Sequence, residues 1–105
     1  MKLYRFITSS GEGVFGAGKR LLPENLVDEA WENRKWMPKP NLPEGEYDFY
    51  MTSAGKEKYE QTLFVTHRKY LDGITCVEVD ADAIGQPIYE DEWQVVYKKP
   101  AVSGR

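Results

Sequence analysis

The clearest pattern at the start of the chain is an alternation of side chains over residues 2–8, followed by a Ser9-Ser10-Gly11 turn signal. The alternation puts Leu3 and Ile7 on one side of the chain and Tyr4 and Phe6 on the other. Because successive side chains of a β-strand point to opposite faces of a sheet, this pattern predicts a first strand.

Two later segments carry apolar residues at helical spacing. The first, residues 24–36 behind Pro23, predicts a helix through Leu26, Val27, Ala30 and Trp31. The second segment predicts a helix that Thr52 or Ser53 can cap and that Gly73 can end. Its apolar face is predicted to be shared by Tyr59, Leu63, His67, Tyr70 and Leu71.

Three further segments are rich in strand-forming residues, and they are residues 47–51, 74–79 and 88–97. A connector with three prolines, residues 38–45, and a turn region, residues 81–87, separate these elements. The order predicts an α+β fold in which two helices pack on one face of a mainly antiparallel sheet. We predict a single domain over residues 1–99 and a flexible tail over residues 100–105.

The glycines between the first strand and the first predicted helix spell G-x-G-x-x-G at Gly11, Gly13 and Gly16. Such glycines let a backbone approach a phosphate closely. A dinucleotide fold also needs a helix directly after the glycines and an acidic residue at the end of a second parallel strand. A hairpin turn explains these glycines better than a dinucleotide site does. The apolar pair Val14 and Phe15 favours a brief return strand after the turn.

Charge and composition exclude several classes of protein. The 105 residues include 14 Lys and Arg against 17 Asp and Glu, so the formal net charge of -3 argues against general nucleic-acid binding. Apolar runs are far shorter than the roughly 20 residues of a membrane span, and we expect a cytoplasmic protein. Within one chain, the single Cys76 and single His67 cannot complete a disulfide or a Cys/His zinc site. We expect Cys76 to be a small buried hydrophobic residue and His67 to be packed in the core or at its rim.

The aromatic residues suggest a binding function. Three Trp, seven Tyr and four Phe exceed what one small core readily buries, and Trp and Tyr contribute strongly at protein interfaces. We predict a non-enzymatic protein-binding module without a cofactor, with this partner-binding surface: Trp36, Tyr89, Glu90, Asp91 and Glu92. In length, acidity and aromatic content the chain resembles the small accessory proteins of phages and mobile elements, among them anti-CRISPR inhibitors. This resemblance implies inhibition of a host protein.

A distributed set of residues supports an alternative. Arg5 lies in the first strand, Thr52 and Ser53 follow the middle strand, and Glu90 and Glu92 would share a face of a late strand about 7 Å apart. This order resembles the Arg, Ser-Thr-Ser, Glu-x-Glu pattern of the ADP-ribosyltransferase family. The resemblance implies that Arg5, Thr52 and Ser53 hold NAD and that Glu92 is catalytic with Glu90 assisting. The alternative explanation is that Glu90 and Glu92 are surface residues of an amphipathic strand and have no catalytic role.

Overall fold

The computed structural model describes residues 1–99, and the predicted tail at residues 100–105 lies outside this part of the chain. Residues 1–99 form five strands and four α-helices. In chain order these are β1 (Lys2–Ile7), α1 (Val14–Leu21), α2 (Glu24–Asn33), β2 (Tyr47–Met51), α3 (Ser53–Gln61), α4 (Leu63–His67), β3 (Thr75–Asp80), β4 (Tyr89–Glu90) and β5 (Gln94–Lys98). A short 3₁₀ turn, Ala81–Ala83, follows β3.

The strands form one antiparallel sheet in the order β3-β1-β2-β5-β4. β1 pairs with β3 along its whole length, and β2 pairs with β5 in the same way. The contact between β1 and β2 is different, because it consists of the single pair Tyr4↔Met51. The predicted α+β class is confirmed, and the centre of the sheet is its most loosely paired point.

Both faces of the sheet are covered. The helices bury one face in a cluster made of Phe6, Val14, Ala17, Met51, Tyr59, Leu63 and Leu71. On the opposite face a smaller cluster of Leu3, Val95 and Tyr97 lies beneath Ala81 and Ile84. The side chains of Leu3 and Phe6 point to opposite faces of the sheet, because the two residues are an odd number of positions apart in β1. The alternation predicted for this strand therefore supplies residues to both clusters.

The glycine segment is a helix, so the predicted return strand at Val14 and Phe15 is wrong. The chain turns at Gly11, whose φ of 87° suits glycine, and Gly13 forms a single bridge to Ile7 before α1 begins. Val14 and Ala17, one turn apart, are both buried in the core. Tertiary packing of this apolar face therefore outweighs the low helix propensity of the glycines.

The second predicted helix is two helices, α3 and α4, that meet at Thr62. The backbone of Thr62 is not helical (φ −126°, ψ −85°), and its hydroxyl donates to the Lys58 carbonyl at 2.7 Å. Thr52 caps α3 as predicted, because its Oγ1 accepts from the Gly55 N–H at 3.1 Å. Leu63 is buried as expected, and so is Leu71 beyond the end of α4, whereas Tyr70 is 54% exposed.

The predicted long strand over residues 88–97 is also wrong. The chain reverses between β4 and β5, which pair with each other as a hairpin. The prediction that Cys76 is buried is wrong, because this residue is exposed on β3, an edge strand of the sheet. Within residues 1–99, the helices are too short and too polar to cross a bilayer.

Candidate functional site

A cavity of about 700 Å³ opens where β1 and β2 part beyond their single pair Tyr4↔Met51. We call it the central cleft. Its walls are β1, β2, α1, α2 and the proline-rich connector, and its floor reaches the buried residues Leu63, His67 and Gln94. Its apolar lining includes these residues: Phe6, Val14, Phe15, Leu22, Val27, Ala30, Trp31, Met37, Phe49 and Met51.

Helix α2 gives the cleft one apolar wall. No residue of α2 is fully buried, and of the residues predicted to form its apolar face only Ala30 is among the half-buried residues that pack against the core cluster. Val27 is 42% exposed and Trp31 is 59% exposed, and both line the cleft together with Ala30. An amphipathic helix normally covers its apolar stripe, so this stripe faces a space that an apolar molecule can fill.

Arg5 lies where β1 meets the start of α1. Its Nη1 is 3.8 Å from Asp48 Oδ1 on β2, a long ion pair between two half-buried side chains. A Cβ added at Gly13 would be 3.3 Å from the Arg5 Nη2, so the absence of a side chain at Gly13 makes room for the guanidinium. Arg5 is thus held at the edge of the cleft by two flanking elements.

Two polar side chains of the cleft keep an atom without a hydrogen-bond partner. Gln94 is 1% exposed, and its Nε2 donates to the Pro38 carbonyl at 2.7 Å and to Asp91 at 3.2 Å. Within residues 1–99, its buried Oε1 accepts no hydrogen bond and the buried Nε of Arg34 donates none. Each unsatisfied buried group costs about 1 to 3 kcal/mol, so a ligand that supplies the missing partners would be favoured.

His67 lies at the base of the cleft beside the aromatic core. Its Nδ1 shares a hydrogen bond of 2.8 Å with the Tyr59 hydroxyl, and its ring meets Phe15 edge-on at 5.9 Å. Burial lowers the pKa of His67 to about 4, so the imidazole is neutral at pH 7. This residue is packed, as the sequence predicted, and it adds no charge to the site.

The residues predicted to bind a partner do not line the cleft, and three of them, Trp36, Tyr89 and Asp91, are engaged in contacts within the protein. Trp36 is half-buried, donates from Nε1 to the Asn33 carbonyl at 2.7 Å, and packs edge-on against Trp93. Asp91 organises the β4–β5 turn, because its Oδ1 accepts from the N–H groups of Trp93 and Gln94. Although burial raises the pKa of Asp91, these bonds and one from the Tyr89 hydroxyl outweigh burial and lower that pKa below its usual value.

Glu90 and Glu92 are both exposed, but they do not lie on one strand. Glu90 ends β4 and lines a second, shallower depression of about 390 Å³, whereas Glu92 lies in the turn. The alternation that would align their side chains does not extend across this turn.

The other residues of the ADP-ribosyltransferase pattern are split between two places. Thr52 caps α3 and donates its hydroxyl to the Glu92 carbonyl at 2.6 Å, so the structure brings the middle strand and the turn together. Ser53 begins α3 and is exposed. Arg5, in contrast, faces the cleft and Asp48. NAD binding by this set stays a prediction.

Sequence reasoning missed the two cleft residues that have an unsatisfied buried polar atom, Arg34 and Gln94. Arg34 ends a predicted helix, where a basic side chain is explained by the helix dipole alone. Gln94 lies in a segment of high strand propensity and carries no motif. The exposed apolar stripe of α2 was visible in the sequence, but the same stripe is typical of a helix packed on a core.

Fold and cavity together describe a small α+β protein with one large, mainly apolar cleft bordered by basic side chains. Comparison with protein-family models, with curated proteins and with solved structures gives no significant match. Function is therefore inferred from the residues of this chain.

Proposed function

We propose that this protein binds a small, largely apolar organic molecule in the central cleft. The observation that carries the proposal is the apolar stripe of α2, which lines a cavity of about 700 Å³ and leaves Trp31 59% exposed. Ligand sites of small molecules are typically concave, mainly apolar and roughly 300 to 1,000 Å³ in volume, with a few polar groups that orient the ligand. Arg34 and Gln94 are such groups.

The neutral fluorophore N-phenyl-1-naphthylamine tests this proposal. We expect the wild type to bind it at one site, with a rise and blue shift of emission. Ala30→Phe, which puts a ring into the cleft, should weaken binding about tenfold or more, because the added ring occupies the volume that the ligand needs. The matched control is Ala54→Phe on the exposed surface of α3, which should leave binding unchanged. Circular dichroism checks that both variants fold.

The proposal fails if the wild type shows no saturable emission change. It also fails if Ala30→Phe and Ala54→Phe bind the fluorophore with the same affinity, since the site would then lie elsewhere.

A second candidate function is the binding of a protein partner, of which inhibition of a host protein by a phage-encoded protein is one form. The supporting observation is that Glu90 and Glu92 are exposed and form no salt bridge within residues 1–99. Because Trp36 is packed against Trp93, such a surface relies on its carboxylates more than on its aromatic rings. Acidic residues of this kind steer association with a basic partner.

A double variant, Glu90→Gln with Glu92→Gln, tests this second function. We expect it to capture a basic protein from a bacterial lysate less efficiently than the wild type, with the largest difference at low salt, where charge steering is strongest. The control changes two exposed glutamates elsewhere, Glu44→Gln with Glu57→Gln. Equal capture by the two double variants would contradict a role for the acidic turn.

A further inference from the structure

The cleft is basic, although the protein as a whole is acidic. The ionisable side chains that line it, apart from neutral His67, are three tyrosines, one carboxylate and four basic groups; the charged ones are Glu12, Arg5, Lys19, Arg34 and Lys39. The carboxylate of Glu12 is already paired with Arg20, which is not a lining residue. The lining therefore has an excess of positive charge in a chain whose formal net charge is -3.

Arg34 is the most unusual of these basic groups. Arg5 is paired with Asp48, but the side chain of Arg34 has neither a salt bridge nor a hydrogen bond to any of residues 1–99. Its guanidinium carbon lies 5.7 Å from the centroid of the Trp31 ring, and its Nε is buried. Burial lowers the pKa of Arg34, yet arginine stays protonated at neutral pH. A half-buried cation without a counter-ion is costly, and an incoming anion would relieve that cost.

The second unsatisfied atom specifies a further property of the ligand. Gln94 Oε1 is a buried acceptor, while the Nε2 of the same amide is held by Pro38 and Asp91. These two bonds fix the orientation of the amide, so Oε1 cannot be exchanged for a donor without breaking both. A ligand N–H or O–H is the complementary group.

We propose that the ligand of the central cleft is an aromatic organic anion that pairs its acidic group with Arg34 and donates a hydrogen bond to Gln94. This inference rests on the proposed small-molecule function. The aromatic body would lie among Phe15, Trp31 and Phe49, and rings of this kind pack well edge-on or offset. Arg34 matches a planar or tetrahedral anion because its N–H groups form a rigid fork, and Trp31 beside it restricts that fork.

Two fluorophores that differ in one charged group test the inference. 1-Anilinonaphthalene-8-sulfonate and N-phenyl-1-naphthylamine share the same rings and the same N–H, and only the first carries an anion. We expect the wild type to bind the sulfonate at least tenfold more tightly than the neutral compound. This comparison needs no variant, so it does not depend on whether an altered protein folds.

The variant Arg34→Met then assigns the preference to one residue. We expect it to weaken sulfonate binding about tenfold or more and to change binding of the neutral compound less than twofold, because methionine keeps the apolar part of the side chain. The matched control is Arg68→Met. Arg68 is exposed and lies 6.0 Å from the Phe64 ring, outside the cleft, so this change should affect neither compound.

The possible failures separate the two proposals. If the wild type does not bind the neutral compound, the small-molecule function itself is wrong, whether or not the sulfonate binds. If the neutral compound binds and the sulfonate binds no better, the cleft is a ligand site but the anion inference is overturned. Equal losses for both compounds in Arg34→Met would also overturn it, since Arg34 would then be a wall of the cleft and not a charge partner.

Discussion

Gly55→Ala is expected to destabilise the protein by at least about 3 kcal/mol, or to prevent it from folding. A Cβ on Gly55 would lie 1.9 Å from the Trp93 carbonyl oxygen and 2.9 Å from its carbon. That carbonyl cannot move away freely, because it accepts a hydrogen bond of 3.0 Å from the Thr52 N–H. Close approach of the α3 backbone to the β4–β5 turn therefore requires glycine at this position.

The matched control for this prediction is another helical glycine, Gly16. A Cβ there would meet only Glu12 Oε2, at an ordinary 3.6 Å, so Gly16→Ala should raise stability by about 0.5 to 1 kcal/mol through higher helix propensity. Urea denaturation at pH 7 measures both variants. A Gly55→Ala protein within 1 kcal/mol of the wild type would contradict the close packing of α3 against the turn.

Acid is expected to remove roughly 3 kcal/mol of stability through His67 as the pH falls from 7 to 4. Burial holds the pKa of folded His67 at about 4, whereas the unfolded imidazole titrates near 6.5. Between these values the unfolded chain binds more protons than the folded one, so protonation favours unfolding. The contribution is fully present above about pH 6.5 and is lost progressively below it.

His67→Gln isolates this contribution, because glutamine does not titrate. Carboxylates with lowered pKa values, such as Glu29 and Asp91, weaken the fold in acid in both proteins, and their effect cancels in the comparison. Urea denaturation at pH 7 and pH 4 should therefore show a smaller acid loss for the variant, by roughly 3 kcal/mol. Equal losses would show that His67 is not buried as a neutral group.

Local patterns predicted the elements that local chemistry determines. Alternation of side chains identified β1, and the run of strand-forming residues identified β2 at Tyr47–Met51. The cap at Thr52 was predictable because its hydroxyl satisfies an N–H group only three residues away. The α+β class follows from the order of such elements.

Elements that depend on distant contacts were predicted poorly. The segment that forms α1 has two internal glycines, and only the burial of Val14 and Ala17 against the rest of the core makes it helical. The β4–β5 turn depends on the side chain of Asp91, which accepts from the N–H groups of Trp93 and Gln94. Such Asp turns compete with extended structure, and the aromatic residues around this one favour a continuous strand.

The central cleft could not be predicted from the chain for a related reason. Val27, Ala30 and Trp31 have the spacing of a core-facing stripe, and the sequence does not distinguish a stripe that packs on a core from one that lines a cavity. The difference arises from β1 and β2, which pair at one position and then separate. Strand separation of this kind is a property of the whole sheet.

The most direct test of the ligand site is a map of amide chemical shifts. The ¹⁵N-labelled protein would be titrated with N-phenyl-1-naphthylamine and followed by two-dimensional NMR. A ligand in the central cleft should produce saturable shifts that are largest at Gly16, Ala30, Arg34 and Phe49, because these residues line the cleft on three of its sides. The absence of saturable shifts, or shifts that are largest at Glu90, Asp91 and Glu92, would contradict the assignment of the cleft as the binding site.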